Sequence, residues 1–139
     1  MDRGVIVKHI WEDEHLVEFE CTVDTGVFCG TATCYTAHGK LATFAGALRR
    51  FATAFEGTAI FSAARADGTK AVTIEIRAVD HAKHTVAAVK LVTDRGFRPD
   101  DVARLEVQFP IEAAAIDAFL RELGNVRGRG DYAFLRAAG

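Results

Sequence analysis

The chain has 139 residues, of which 50% are hydrophobic, and its 17 basic and 19 acidic side chains give a net charge of −2. This length fits one domain that buries most of its apolar surface, so we expect neither a disulfide nor a structural metal to be needed. The small net charge excludes a strong whole-chain attraction to nucleic acid or to an anionic membrane, and we expect neither as a partner.

Localisation is predicted from the N-terminus and the cysteines. Residues 1–4 pass directly into an alternating segment, so the sequence shows no signal peptide and no membrane anchor. The chain has an odd number of cysteines, Cys21, Cys29 and Cys34, and none of them forms a CxxC pair. A cytoplasmic protein with reduced thiols is therefore expected, although a hairpin loop centred on Thr25 would place Cys21 across from Cys29, close enough to oxidise.

The first third of the chain predicts strands at 5–10, 16–23 and 27–36. In the second of these, Val17 and Phe19 share one face with two further apolar residues, which is typical of a half-buried antiparallel strand. Residues 24–26 have the composition of a tight hairpin loop. Gly30 lies inside the third strand, where it predicts a β-bulge.

A central helix is predicted over 40–55. Apolar side chains recur there at intervals of three and four residues, at Leu41, Phe44, Ala45, Leu48, Phe51, Ala52 and Phe55. Gly57 stands where a C-cap is expected. A helix with this stripe needs a broad apolar surface to cover, and an antiparallel sheet supplies one.

The remaining chain predicts strands at 58–64, 71–78, 85–93 and 102–109, with a longer exposed loop over 94–101. Pro110 suits the first turn of a second helix over 111–123. We therefore predict a single α+β domain over 1–124, with one mainly antiparallel sheet of about six strands, two helices, and the central helix on the concave face. Residues 125–139 form a Gly- and Arg-rich tail, and one option is that this tail docks onto the sheet as a last strand.

The sequence offers no motif for catalysis or for a cofactor. His81 and His84 lie in a short turn with only Asp80 nearby, so solvated histidines are favoured over a metal site. A couple of Cys34 and His38 would lack an orienting partner. Ser62 lies in an apolar strand, without the strand-turn-helix elbow of a nucleophile. We therefore expect no enzyme activity, no catalytic residue, no cofactor and no metal.

The order of elements resembles that of bacterial immunity proteins of the WapI type and their uncharacterised relatives. The resemblance spans roughly residues 5–123 and rests on the N-terminal strands, the helix Leu41-x-x-Phe44-x-x-x-Leu48-x-x-Phe51, the strand 72–76 and the closing helix after Pro110. It implies a small cytoplasmic protein that neutralises a toxin domain by direct binding, without catalysis. It provides no motif residues.

A binding surface is also suggested by the residues themselves. Trp11 next to three acidic residues gives an aromatic anchor with an acidic rim, suited to a basic partner, although Trp11 would equally serve to cap the core. The face of the second strand that lies away from the helix adds two more carboxylates. The predicted partner-binding residues are Trp11, Glu12, Asp13, Glu14, Glu18 and Glu20.

Two other functions stay open at this point. A curved sheet and the helix side chains Phe44, Phe51 and Phe55 would enclose the cavity of a small-ligand carrier or of a cup-shaped enzyme. Alternatively, the protein is a homodimeric structural domain that associates through an exposed sheet edge or face.

Overall fold

The computed structural model describes residues 2–96, 98 and 100–139, and it shows an α+β protein of eight strands and two helices. Met1, and Phe97 and Pro99 of the predicted exposed loop, lie outside the described residues. The elements are, in chain order, β1 (Gly4–Glu12), β2 (Leu16–Asp24), β3 (Cys29–Ala37), α1 (Lys40–Ala54), β4 (Thr58–Ala64), β5 (Ala71–Ala78), β6 (Thr85–Asp94), β7 (Val102–Ile111), α2 (Ala113–Leu123) and β8 (Tyr132–Arg136).

The strands form two antiparallel sheets of four, with the orders β3-β2-β1-β8 and β4-β5-β6-β7. The α+β class and the antiparallel pairing are confirmed, but the single sheet of about six strands is wrong. The reason is that α1 interrupts the run of hairpins after β3, so the chain starts a second meander rather than extending the first. β8 returns from the C-terminus and pairs with β1.

Alternating side chains build the core-facing side of both sheets. In β2 every second residue is buried, which confirms the predicted face of Val17, Phe19, Cys21 and Val23. In β5 the buried set is Val72, Ile74 and Ile76. This period of two is what a sheet with one covered face produces.

The core joins both sheets and both helices through aromatic contacts. The ring centroid of Phe61 in β4 lies 6.1 Å from that of Phe19 in β2 and 5.9 Å from that of Phe44 in α1, and the rings of Phe44 and Phe119 are 6.3 Å apart. The predicted apolar stripe of α1 is confirmed, because Leu41, Phe44, Ala45, Leu48 and Phe51 are all buried. However, α1 packs beside β4 and α2 rather than on the concave face of a single sheet.

The end of the first helix and the start of the second both differ from the prediction. Phe55, not Gly57, is the residue after α1; it has a φ of 54° and its N–H donates to the Phe51 carbonyl at 2.7 Å. The second helix begins only at Ala113, because Pro110 and Ile111 continue β7. Pro110 is tolerated there because β7 is an edge strand, where a missing N–H breaks no ladder.

The hairpin between β2 and β3 also differs from the prediction. Cys29 pairs with Asp24, and Cys21 pairs with Ala32, because the loop is centred between residues 26 and 27. All three thiols are free. Gly30 keeps regular register with Val23, so the predicted bulge in β3 is wrong. The register shift lies instead in β1, between residues 9 and 11.

The C-terminal segment is held at the edge of the first sheet. β8 runs antiparallel to β1, and the Phe134 N–H donates to the Glu122 carboxylate of α2 at 2.8 Å. Within the described residues, neither helix combines the length and apolar character required to cross a bilayer.

Candidate functional site

A row of three side chains crosses the first sheet on the side away from the core. In the register of the strands, Trp11 of β1 stands opposite Glu18 of β2, which stands opposite Tyr35 of β3. The indole and phenol rings meet edge to face, with centroids 5.9 Å apart. Leu16 and Glu20 flank this row on β2. We call the surface formed by Trp11, Leu16, Glu18, Glu20 and Tyr35 the Trp11 face.

The bulge in β1 places Trp11 on this side. His9 is buried against the ring of Phe19, with centroids 5.8 Å apart. In an unbroken strand, residues 9 and 11 would share one face, and Trp11 would follow His9 into the core. The register shift between them separates the two side chains, so the indole packs on Tyr35 instead. The sequence gives no signal of this bulge.

Electrostatics on the Trp11 face are acidic. Partial desolvation of the phenol, followed by the negative charge of Glu18, raises the pKa of Tyr35. Lys8 is the register partner of Glu20, but neither Glu18 nor Glu20 forms an ion pair with another described residue. Glu18 also interacts with the Tyr35 phenol through a side-chain hydrogen bond, which contributes to the raised pKa of Tyr35.

The acidic residues that follow Trp11, predicted to bind a partner, have different structural roles. The Asp13 carboxylate accepts hydrogen bonds from the backbone N–H groups of His15 and Leu16, both at 2.8 Å, and these bonds hold the pKa of Asp13 below its usual value. Asp13 therefore shapes the turn. Glu14 is highly exposed, with its carboxylate 3.3 Å from the His15 imidazole.

Glu12 lies between two imidazoles, an arrangement that the sequence analysis missed. Its carboxylate oxygens are 3.6 Å from His9 Nε2 and 3.9 Å from His38 Nδ1, and His38 Nε2 contacts the Asp13 carbonyl at 2.7 Å. The three side chains line a cavity of about 160 Å³ together with Arg127. The i, i+3 spacing of His9 and Glu12 is the only sequence signal for it. Within the described chain, no three His, Cys, Asp or Glu side chains are arranged to hold a metal ion.

A second, mainly apolar groove lies elsewhere on the described surface. It has a volume of about 630 Å³ and is lined by Phe55, Val79 and Pro110, with Lys83 and His84 among its polar lining. These two polar groups pair with neighbours, since Lys83 donates to Glu56 at 2.9 Å and His84 contacts Asp80 at 2.6 Å. Phe44 and Phe51, expected to enclose a cavity, are buried in the core instead.

Comparison with known proteins provides no family. No family model, curated protein or solved structure matches this chain.

Proposed function

We propose that this protein is a non-enzymatic binding protein that holds a basic protein domain against its Trp11 face. Within this proposal, it acts as an immunity protein and neutralises a toxin domain by covering it. The observation that supports the proposal is the row of Trp11, Glu18 and Tyr35, in which two aromatic rings flank a carboxylate that has no ion-pair partner among the described residues.

Aromatic side chains at the centre of a surface are common binding anchors, because they bury a large area with few rotatable bonds. Tyr35 is 52% exposed, and Trp11 is half-buried against it. The pair is thus oriented before any partner arrives, which lowers the entropic cost of binding.

The carboxylates give the surface its selectivity. Glu18 and Glu20 lie beside the aromatic pair, and Glu12 and Glu14 follow at the end of β1. Acidic groups of this kind accelerate association with a basic partner and disfavour an acidic one, and the effect weakens as salt screens the charges. A basic protein domain is the partner whose charge complements this surface.

The test is an affinity purification from cells that naturally carry the gene, followed by titration of the purified partner. We expect recovery of a basic protein whose binding weakens at least about tenfold in Glu18→Gln/Glu20→Gln and in Trp11→Ala. The matched control is Glu106→Gln/Asp117→Asn, which makes the same change in charge at exposed positions on β7 and α2. A partner that binds the two double variants equally, or the absence of any partner, would overturn the proposal.

A further inference from the structure

The two sheets have four edge strands, and three of these are protected against pairing with another chain. The β8 edge is covered by α2, where Glu122 accepts the Phe134 N–H. β4 lies beside α1. β7 includes Arg104, Glu106 and Pro110. A covering helix, charged side chains and proline are the usual means of preventing edge-to-edge association.

β3 has none of these protections. Its nine residues, Cys29 to Ala37, include no charged residue and no proline, and its register with β2 is regular throughout. Its outer edge forms no backbone hydrogen bond with any other described residue. Three large exposed apolar side chains also lie on or next to it, namely Val27, Phe28 and Tyr35. An edge strand of this composition can form backbone hydrogen bonds with a strand of another chain.

The hydrogen-bond pattern shows which backbone groups are available. The Thr25 N–H donates to the Phe28 carbonyl at 3.0 Å across the hairpin loop. Because bonded and non-bonded pairs alternate along an antiparallel ladder, the even-numbered residues of β3 bond to β2. The N–H and C=O groups of Thr31, Thr33 and Tyr35 therefore point to the open edge.

We propose that this edge is the interface of a homodimer, in which β3 pairs antiparallel with β3 of a second copy about a twofold axis through Thr33. This register pairs all nine residues and joins the open backbone groups of both strands. Thr33 then faces its own copy, and Thr31 faces Tyr35, which are favourable cross-strand pairs.

A second copy fits this edge better than other strands do. A charged residue on the twofold axis would face its own copy and be repelled, and β3 contains no charged residue at any position. A cavity of about 340 Å³ between β3 and the β4–β5 turn, lined by Cys34, Ala64 and Lys70 among others, leaves room for the inward-facing side chains of the added strand. In this register those side chains are small, because Ala32 and Gly30 of the second copy stand opposite Cys34 and Thr36.

The dimer does not depend on the proposed binding of a basic partner. Pairing at the edge leaves most of the Trp11 face exposed in both copies, so a protein that failed to dimerise would still bind the partner. Dimerisation is measured on the purified protein alone, and the two proposals therefore fail in different experiments.

The first test is sedimentation velocity of the full chain from about 1 to about 200 µM. We expect the mass to rise from the monomer value of 15.1 kDa towards twice that value. Thr33→Pro removes an outward N–H without affecting a bond to β2, so it should raise the dimer Kd at least about tenfold. Thr33→Ala keeps the backbone intact and should dimerise like the parent, and circular dichroism checks that both variants fold.

The second test uses a disulfide bond to trap the proposed register between the two β3 strands. In a Cys29→Ser background, Thr33→Cys places two thiols opposite each other across the axis, at a distance that a disulfide spans. Mild oxidation should give a covalent dimer from this variant and none from Gln108→Cys, which is exposed on β7. A wild-type protein that stays monomeric at about 200 µM, or a Thr33→Pro variant that dimerises as tightly as the parent, would overturn the proposal.

Discussion

Leu105 of β7 lies directly against Gly30 of β3, so closely that a Cβ atom at position 30 would stand 2.8 Å from Leu105 Cδ2. The contact lies on the core-facing side of β3, because Gly30 is the register partner of the buried Val23. Glycine near the start of β3 allows this approach, because any larger residue would require the Leu105 side chain to shift.

Gly30→Val should therefore destabilise the protein by about 1–3 kcal/mol, since the added carbons overpack the junction between the sheets. Leu105→Ala in the same chain should recover part of the loss. A double-mutant cycle from urea unfolding measures the coupling, and additive effects of the two substitutions would contradict the contact.

The Arg65 guanidinium pairs with the Asp94 carboxylate, whose side chain is 1% exposed. The other Asp94 oxygen is buried without a hydrogen-bond partner among the described residues. Arg65→Ala should lower the urea midpoint because it leaves this buried charge without the Arg65 cation.

Asp94→Asn in the Arg65→Ala background should recover part of that midpoint, because an amide has no charge to compensate. Arg104→Ala, which removes an exposed cation from β7, is the control and should leave the midpoint nearly unchanged. Equal midpoints for Arg65→Ala and Arg104→Ala would argue against a structural role for the ion pair.

Phe44 contacts the rings of both Phe61 and Phe119 and is 2% exposed. Phe44→Ala should cost about 3–5 kcal/mol of unfolding free energy, because it opens a cavity where α1, α2 and β4 meet. Phe28→Ala makes the same chemical change at a residue that is 62% exposed, and it should cost at most about 0.5 kcal/mol. Chemical denaturation of both variants checks the difference, and similar losses would mean that Phe44 is not a core residue.

The three thiols should differ in reactivity. Cys29 is exposed, whereas burial raises the pKa of Cys21 well above its ordinary value and that of Cys34 to about 12. A disulfide reagent at about pH 8 should label one thiol per folded chain and all three in urea, because the thiolate is the reacting form. Labelling of Cys29→Ser in the folded state would contradict the described burial.

The raised pKa of Cys34 also predicts a dependence of stability on pH. The folded state retains the thiol proton more strongly than the unfolded state, whose pKa is near 9.0. This contribution to stability is complete below pH 9 and is lost as the pH rises towards 12. Unfolding in urea should therefore need less denaturant at high pH in the parent, with a smaller change in Cys34→Ala.

Periodicity in the sequence determined the local structure of this protein. The spacing of Leu41, Phe44 and Leu48 predicted a helix with one buried face, and the alternation from Val17 to Val23 predicted which side of β2 faces the core. Both follow from the repeat of each backbone conformation, which fixes the direction of every side chain once the element forms.

Only the tertiary structure decided which strands pair and what each surface residue contacts. The division into two sheets, the bulge that separates His9 from Trp11, and the position of Glu12 between His9 and His38 all depend on residues far apart in the chain. Pairing of this kind is set by the packing of both sheets against one core, and a local pattern of apolar residues is compatible with several such arrangements. The free edge at β3 exists for the same reason, because it depends on which strands end each sheet.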